Sequence, residues 1–290
     1  MIKEFSLDKI YCKKWIPENC KAVIQVIHGL GEMSEYYEEF ASFMMDKGIG
    51  VFIGELRYHG RTTLPTDEDD LITLMCEESY KLYLEMKKEL SDIPCILLGH
   101  SMGATIAQLM LKQYDCYDKA VLTGCAFIGG LDELLPELHE ETEKNGADAP
   151  CTGVFMKVFG KVAERFPEKC TISWVTTDLE RALYYEKLPY SNVMYSNRFY
   201  KSFLTAQKIT QENDFPKSIK KKIPIFILSG SEDSVGLYGL YPPKKATDYL
   251  NAGFDVTLKV YDNMRHSILQ EIKRTDVYND IVEMISDKKR

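Results

Sequence analysis

The segment Gly99-His100-Ser101-Met102-Gly103 constrains this chain more than any other. It has the form G-x-S-x-G, and its flanks give that form a mechanical meaning. Residues 93–98 before it are apolar and read as a buried strand, while residues 104–111 after it read as a helix. A sharp turn between strand and helix lifts the Ser101 hydroxyl above a sheet, the arrangement of a nucleophile elbow. Glycines are required on both sides because neighbouring backbones approach closely there. The pattern by itself would arise about 0.1 times by chance in a chain of this length. By itself it is equally well a solvated turn; the flanks decide between the two.

Elsewhere the chain alternates strand and helix signals. Ala22–Ile27 is a near-continuous apolar strand that ends at His28-Gly29. Ser34 is expected to cap a helix over residues 35–46, with Gly48 ending it. Residues 50–54 form the next strand. A long amphipathic helix follows the acidic Asp67-Glu68-Asp69-Asp70, which suits the positive end of a helix dipole. Further strands are expected at 119–124, 223–230 and 256–261, with helices at 243–251 and from about Thr275. This alternation predicts an α/β fold whose mostly parallel sheet is covered on both faces. It stops between about 126 and 215, where only helical pieces and loops are legible. Residues 1–125 and 216–290 are assigned to the α/β core, and 126–215 to a helical cap inserted between two strands. The aromatics of the insertion, Phe155, Phe159 and Trp174 among them, either form a small core of their own or line an apolar pocket beneath a lid.

Charge and cysteine usage narrow the class. A net charge of -8 over 290 residues argues against a nucleic-acid footprint. The one basic run, at 217–222, reads as a connector into the next strand. The N-terminus shows no secretory signal, and no apolar run is long enough to span a bilayer. The eight cysteines, Cys12, Cys20, Cys76, Cys95, Cys116, Cys125, Cys151 and Cys170, form no C-x-x-C and no zinc spacing. A reduced, cytoplasmic compartment is expected, and no metal site.

A serine hydroxyl is a poor nucleophile without a base, and the base needs an orienting acid. Of five histidines, only His266 follows a late strand in a loop that can reach the elbow. His100 is adjacent to Ser101 and is expected to point away from it. His28 ends an early strand and orders the loop behind it, His59 sits in a separate turn, and His139 lies in an acidic, solvated stretch. For the acid, the loop after Ser229 offers Glu232 and Asp233; Asp233 is chosen, with Glu232 the alternative. A developing oxyanion needs two donors. The backbone N–H of Met102 is one, and that of Leu30, in His28-Gly29-Leu30-Gly31-Glu32, is the other.

With those residues in place, the chain resembles the α/β-hydrolase superfamily, and within it the monoacylglycerol lipase and lysophospholipase-like branch of serine aminopeptidase S33 type. The segments 28–32, 99–103, Gly230-Ser231-Glu232-Asp233 with Val235-Gly236, and Arg265-His266 followed by Glu271-Ile272 carry the resemblance in order. Ser173-Trp174-Val175-Thr176-Thr177-Asp178 is similar to a cap signature of bacterial members. Three departures bear on substrate: Tyr58 replaces a glycine of the family's Arg-Gly-His-Gly, Ser267 stands where glutamate is frequent, and Ser234 where proline is usual. The resemblance implies a cofactor-free serine hydrolase that cleaves carboxylic esters through an acyl-enzyme. The implied substrate is monoacylglycerol or lysophospholipid-like, held near Trp174, Tyr58, Phe155 and Phe159, with transient contact of the cap with a membrane surface. Alternatives are a short-chain carboxylesterase, an aminopeptidase using cap acids such as Glu133, Glu137, Glu140 and Glu141 to hold an amine, and a non-catalytic ligand receptor on the same fold.

Overall fold

Continuous apolar runs that cannot face water on either side must be buried centrally, and three such runs, β3 (Ala22–Ile27), β5 (Cys95–His100) and β7 (Ile225–Gly230), are fully buried strands. The computed structural model describes residues 1–162, 164–166, 172–191 and 193–286; Cys170 lies outside them. With β1 (Ile2–Leu7), β2 (Ile10–Trp15), β4 (Ile49–Gly54), β6 (Lys119–Thr123) and β8 (Val256–Tyr261), these strands form one eight-stranded sheet. Its order is β1-β2-β4-β3-β5-β6-β7-β8. Pairing is parallel from β4 through β8, and antiparallel only where β2 meets β1 and β4.

Alternate residues of β3 serve opposite faces. Val23 and Ile27 join the cluster packed beneath α2 (Leu71–Glu89), α3 (Met102–Gln113) and α8 (Tyr241–Asn251). Ala22, Ile24 and Val26 join the cluster beneath α1 (Glu38–Asp46) and α9 (Arg274–Ser286). Gln25, the one polar residue of the strand, donates to Ser79 O at 2.7 Å and accepts from Tyr117 OH at 2.9 Å, so its burial leaves no unmet polar group.

Between β6 and β7 the chain passes through α4 (Leu131–Asn145), α5 (Gly153–Phe159), α6 (Leu179–Glu186) and α7 (Asn197–Gln211). Among the described residues of this stretch there is no strand, only an isolated bridge between Pro150 and Ser196. α7 is rooted in the core: Ser202 Oγ accepts from Ile72 N at 2.9 Å, and Gln207 donates to Thr105 Oγ1 at 2.7 Å. No described helix is long and apolar enough to cross a membrane.

One local expectation is corrected. Ser34 does not cap a helix over 35–46: Ser34–Tyr37 is a 3-10 turn, and α1 begins only at Glu38. The buried carboxylate of Glu55 takes the Ser34 hydroxyl, 2.8 Å away, in competition with the capping role. Asp70, by contrast, does cap α2, accepting from Thr73 N at 3.1 Å. The chain also begins with a hairpin, β1–β2, that sequence reasoning missed.

Candidate active site

Ser101 occupies a one-residue turn between β5 and α3, at φ 55° and ψ −119°. A non-glycine residue at that φ is strained and persists only when its surroundings over-determine it. They do so here. Ser101 N donates to Thr123 O of the neighbouring strand at 3.0 Å. A Cβ on Gly99 would collide with the Gly103 carbonyl, and one on Gly103 would overlap the carbonyls of Ile27 and His28. The start of α3 therefore lies against the end of β3, and no side chain fits between them.

Asp233 follows β7 and is fully buried. Its Oδ1 accepts from His266 Nδ1 at 2.9 Å, from Val235 N at 3.0 Å and from Gly236 N at 3.1 Å. Burial pushes its carboxyl up, but the His266 charge and hydrogen bond, the Gly236 amide and the field of His100 outweigh that and hold it below the ordinary value. The neighbouring Glu232 turns outward to Arg165, 3.4 Å away, so of the two candidate acids it is Asp233 that meets the histidine. His266 follows β8 and is buried. Its Nε2 has no hydrogen-bond partner among the described residues, and it lines the same cavity as Ser101.

The second histidine at the elbow is engaged elsewhere. His100 Nδ1 lies 3.0 Å from Thr123 Oγ1, and Nε2 lies 2.8 Å from Ser267 Oγ. Its ring centre is 4.9 Å from that of His266. Burial, with the nearby His266 adding to it against the opposing pull of Glu32, pushes the His100 pKa down to about 4, so it stays neutral at physiological pH. Gly124, at φ 57°, leaves room for both rings: a Cβ there would lie 2.8 Å from His100 and 3.0 Å from His266.

The loop after β3 is clipped from behind. Glu32 Oε2 accepts from Gly29 N at 2.8 Å and from Tyr37 OH at 2.6 Å. His28 donates through Nδ1 to Gly29 O at 2.8 Å and accepts at Nε2 from Leu56 N at 2.8 Å, which fixes its tautomer. Leu30 lines the cavity. Met102 opens α3, where the first N–H groups have no intrahelical acceptor.

The cavity measures about 550 Å³ and is walled largely by carbon. Three of the four side chains expected at a substrate line it: Phe155 and Phe159 of α5, and Trp174, whose ring lies 5.1 Å from His266. Tyr58 is not among the lining residues. Its backbone is left-handed (φ 66°), in a turn closed by Tyr58 N to Thr62 O at 3.0 Å, and its ring packs on the core cluster. Met156 and Phe203 of the insertion and Ser267 beside His266 line the cavity too; sequence reasoning missed Tyr36, Glu186 and Ser191, which also do. They come from separated segments with no shared periodicity, so no local signal marks them. None of Glu133, Glu137, Glu140 and Glu141 lines it. Glu137 pairs with Lys157, and Glu141 accepts from the amides that open α5.

Comparison with known proteins gives the family and the fold. The model of the serine aminopeptidase S33 hydrolase family matches residues 18–273. A monoglyceride lipase homolog of monkeypox virus is 27% identical over 275 residues, covering 92% of this chain and 90% of that protein. Human monoglyceride lipase is 34% identical over 101 residues, 34% of this chain and 33% of that protein. Among solved structures, a thermostable carboxyl esterase from Bacillus coagulans in complex with glycerol superposes with a TM-score of 0.89 at 21% identity, over 98% of this chain and 97% of the other. A soluble variant of monoglyceride lipase from Saccharomyces cerevisiae, in complex with a substrate analog, gives 0.71 at 19% identity, over 99% and 94%. At these identities the structural likenesses establish the α/β-hydrolase fold.

Proposed function

The chain belongs to the serine aminopeptidase S33 family, and from that premise we propose that Ser101, Asp233 and His266 are the catalytic triad of an ester hydrolase. One observation carries this reading: His266, held at Nδ1 by Asp233, keeps a buried and unpartnered Nε2 in the cavity that Ser101 also lines. With the Nδ1 proton fixed on the aspartate side, Nε2 is the free base. It takes the Ser101 proton as Oγ attacks the ester carbonyl. The N–H groups of Leu30 and Met102 hold the oxyanion, each worth about 10²–10³ in turnover. Collapse expels the alcohol, which leaves with the proton from His266. Water then enters by the same route and releases the acid.

Residues 126–215 act as the cap, and the cavity beneath it receives a monoacylglycerol or lysophospholipid-like ester. Supporting this are the lipase relatives and the aromatic and aliphatic walls. The volume falls within the roughly 300–1,000 Å³ usual for small-molecule sites. The seven described cysteines are all free, which supports a reducing, cytoplasmic setting.

The test is a series of p-nitrophenyl esters of rising chain length beside monoacylglycerol, lysophospholipid and an aminoacyl anilide. The expected order places a monoacyl lipid first in kcat/KM; faster anilide cleavage would replace the esterase reading with a peptidase. Fluorophosphonate labelling of folded protein separates an enzyme from a receptor, which would remain unlabelled. Asp233→Asn is expected to lower turnover far more than Glu232→Gln, and the opposite ranking would transfer the acid role to Glu232.

A further inference from the structure

We propose that Glu271 is the positioning residue that fixes the His266 loop by binding it to residues 173–177 of the insertion. The proposal rests on His266 being the base.

Glu271 follows the 3-10 turn Ile268–Gln270 and is 1% exposed. Its carboxylate spans two separate segments. Oε1 accepts from Arg265 N, the amide just before His266, at 2.7 Å, and from Thr177 N at 3.1 Å. Oε2 accepts from Thr177 N at 3.0 Å and from the Thr177 hydroxyl. Around this clamp the same two segments are sewn together again. Arg265 donates to Ser173 O at 2.6 Å, Ser267 N to Val175 O at 2.8 Å, and Thr176 Oγ1 to Gln270 O at 3.0 Å. The amides of the two residues that flank His266 are therefore both held: that of Arg265 by Glu271 of its own segment, and that of Ser267 by Val175 of the insertion. Asp233 grips the imidazole from the core side. Trp174 sits inside the sewn segment with its ring beside His266.

Glu271 does not line the cavity, so it touches no substrate and acts through the loop. Its carboxylate supplies only acceptors to the three donors it meets. An amide in its place turns an N–H₂ toward Thr177 N in either orientation, so one contact of the clamp becomes repulsive. A displacement of about 1 Å at a catalytic group costs as much as about 10²-fold in rate.

The experiment measures kcat and KM for Glu271→Gln, Thr177→Val, Asp233→Asn, the Glu271→Gln/Asp233→Asn double variant and His266→Ala, with folding checked by circular dichroism. Glu271→Gln is expected to lower kcat about 10–100-fold and to change KM by less than about threefold. Thr177→Val loses one of the donors and moves kcat in the same direction by less. In the double variant the losses should combine to less than their product, because both act through one imidazole. Wild-type kcat in Glu271→Gln, or losses that multiply fully with Asp233→Asn, overturns the proposal. If Glu271→Gln does not fold, Thr177→Val combined with Asp233→Asn takes its place, and losses that multiply fully there overturn the proposal in the same way. Wild-type turnover in His266→Ala would remove the triad reading itself. An inactive His266→Ala beside an unaffected Glu271→Gln removes the positioning role alone.

Discussion

The sheet-end loops that carry Ser101, Asp233 and His266 and the insertion that roofs them are built on different terms. In the first region backbone lies against backbone. Gly99, Gly103 and Gly230 each sit where a Cβ would meet a main-chain carbonyl, Gly230 against Met264 and Arg265. In the second, α5 has seven residues and α6 eight, and Met156, Tyr184, Tyr190 and Met194 are exposed. α7 enters the main core most fully, through Phe199, Tyr200, Phe203 and Leu204, while α4 reaches it with Leu131 and Leu138 and α5 with Val154. The difference separates two kinds of information. On the proposed function, chemistry is held by close approaches that tolerate no added atom, whereas substrate choice resides in side chains that can change without disturbing the sheet.

The largest effect that would break this comparison is at the proposed nucleophile. Ser101→Ala is expected to lower kcat by about 10⁶ with the fold retained; residual turnover near wild type would remove the elbow from the reaction. Gly103→Ala comes next. Its new methyl group meets carbonyls that no side-chain rotation relieves, so thermal unfolding should show a loss of about 3 kcal/mol or more. An unchanged melting temperature would show that the elbow has slack.

Acid sensitivity should also belong to the core. Burial first, with the field of His28 adding, pushes the His59 pKa down to about 3, and burial does the same to His100, to about 4. The unfolded chain takes up these protons near pH 6.5 and the folded chain does not. Stability therefore falls as pH drops from about 6.5 toward 4, by at most about 1.4 kcal/mol per pH unit for each imidazole. Melting temperature against pH should show this slope, and His59→Asn should flatten it by up to one proton. A flat profile between pH 7 and 4.5 would contradict the buried, neutral assignment.

The smallest effect sharpens the other half of the comparison. Phe159→Ala should reduce kcat/KM on long-chain esters by about tenfold and leave short-chain esters nearly unchanged. Equal loss on both would mean that the roof takes part in the chemistry.

What was legible in the sequence follows the same division. The elbow could be read because its constraint is local: a strand, one strained residue and a helix stand next to each other in the chain. His266 and Asp233 could be read because the late alternation of strands and helices leaves few loops at the right end of the sheet. The β1–β2 hairpin was not legible. Its turn residues Asp8 and Lys9 both have positive φ without a glycine to announce it, and β1 is largely exposed. Ser34 has the composition of a cap, but the Glu55 carboxylate that claims it lies 21 residues away. As a bulky residue in place of glycine, Tyr58 is expected with its side chain at the substrate. The left-handed backbone that glycine would have adopted without strain remains, and the ring packs on the core instead. The Glu271 clamp joins residues 94 apart, a separation at which no local pattern survives.

The Glu32 clip has a consequence beyond the shape of one turn. Because Gly29 N and Tyr37 OH converge on a single buried carboxylate, the loop that presents Leu30 is already rigid when the enzyme is empty. On the proposed reading, acylating agents too short to reach the insertion meet a receptor for negative charge that needs no reorganisation. That reading lets reactivity toward small activated acyl donors persist while the side chains of the insertion change.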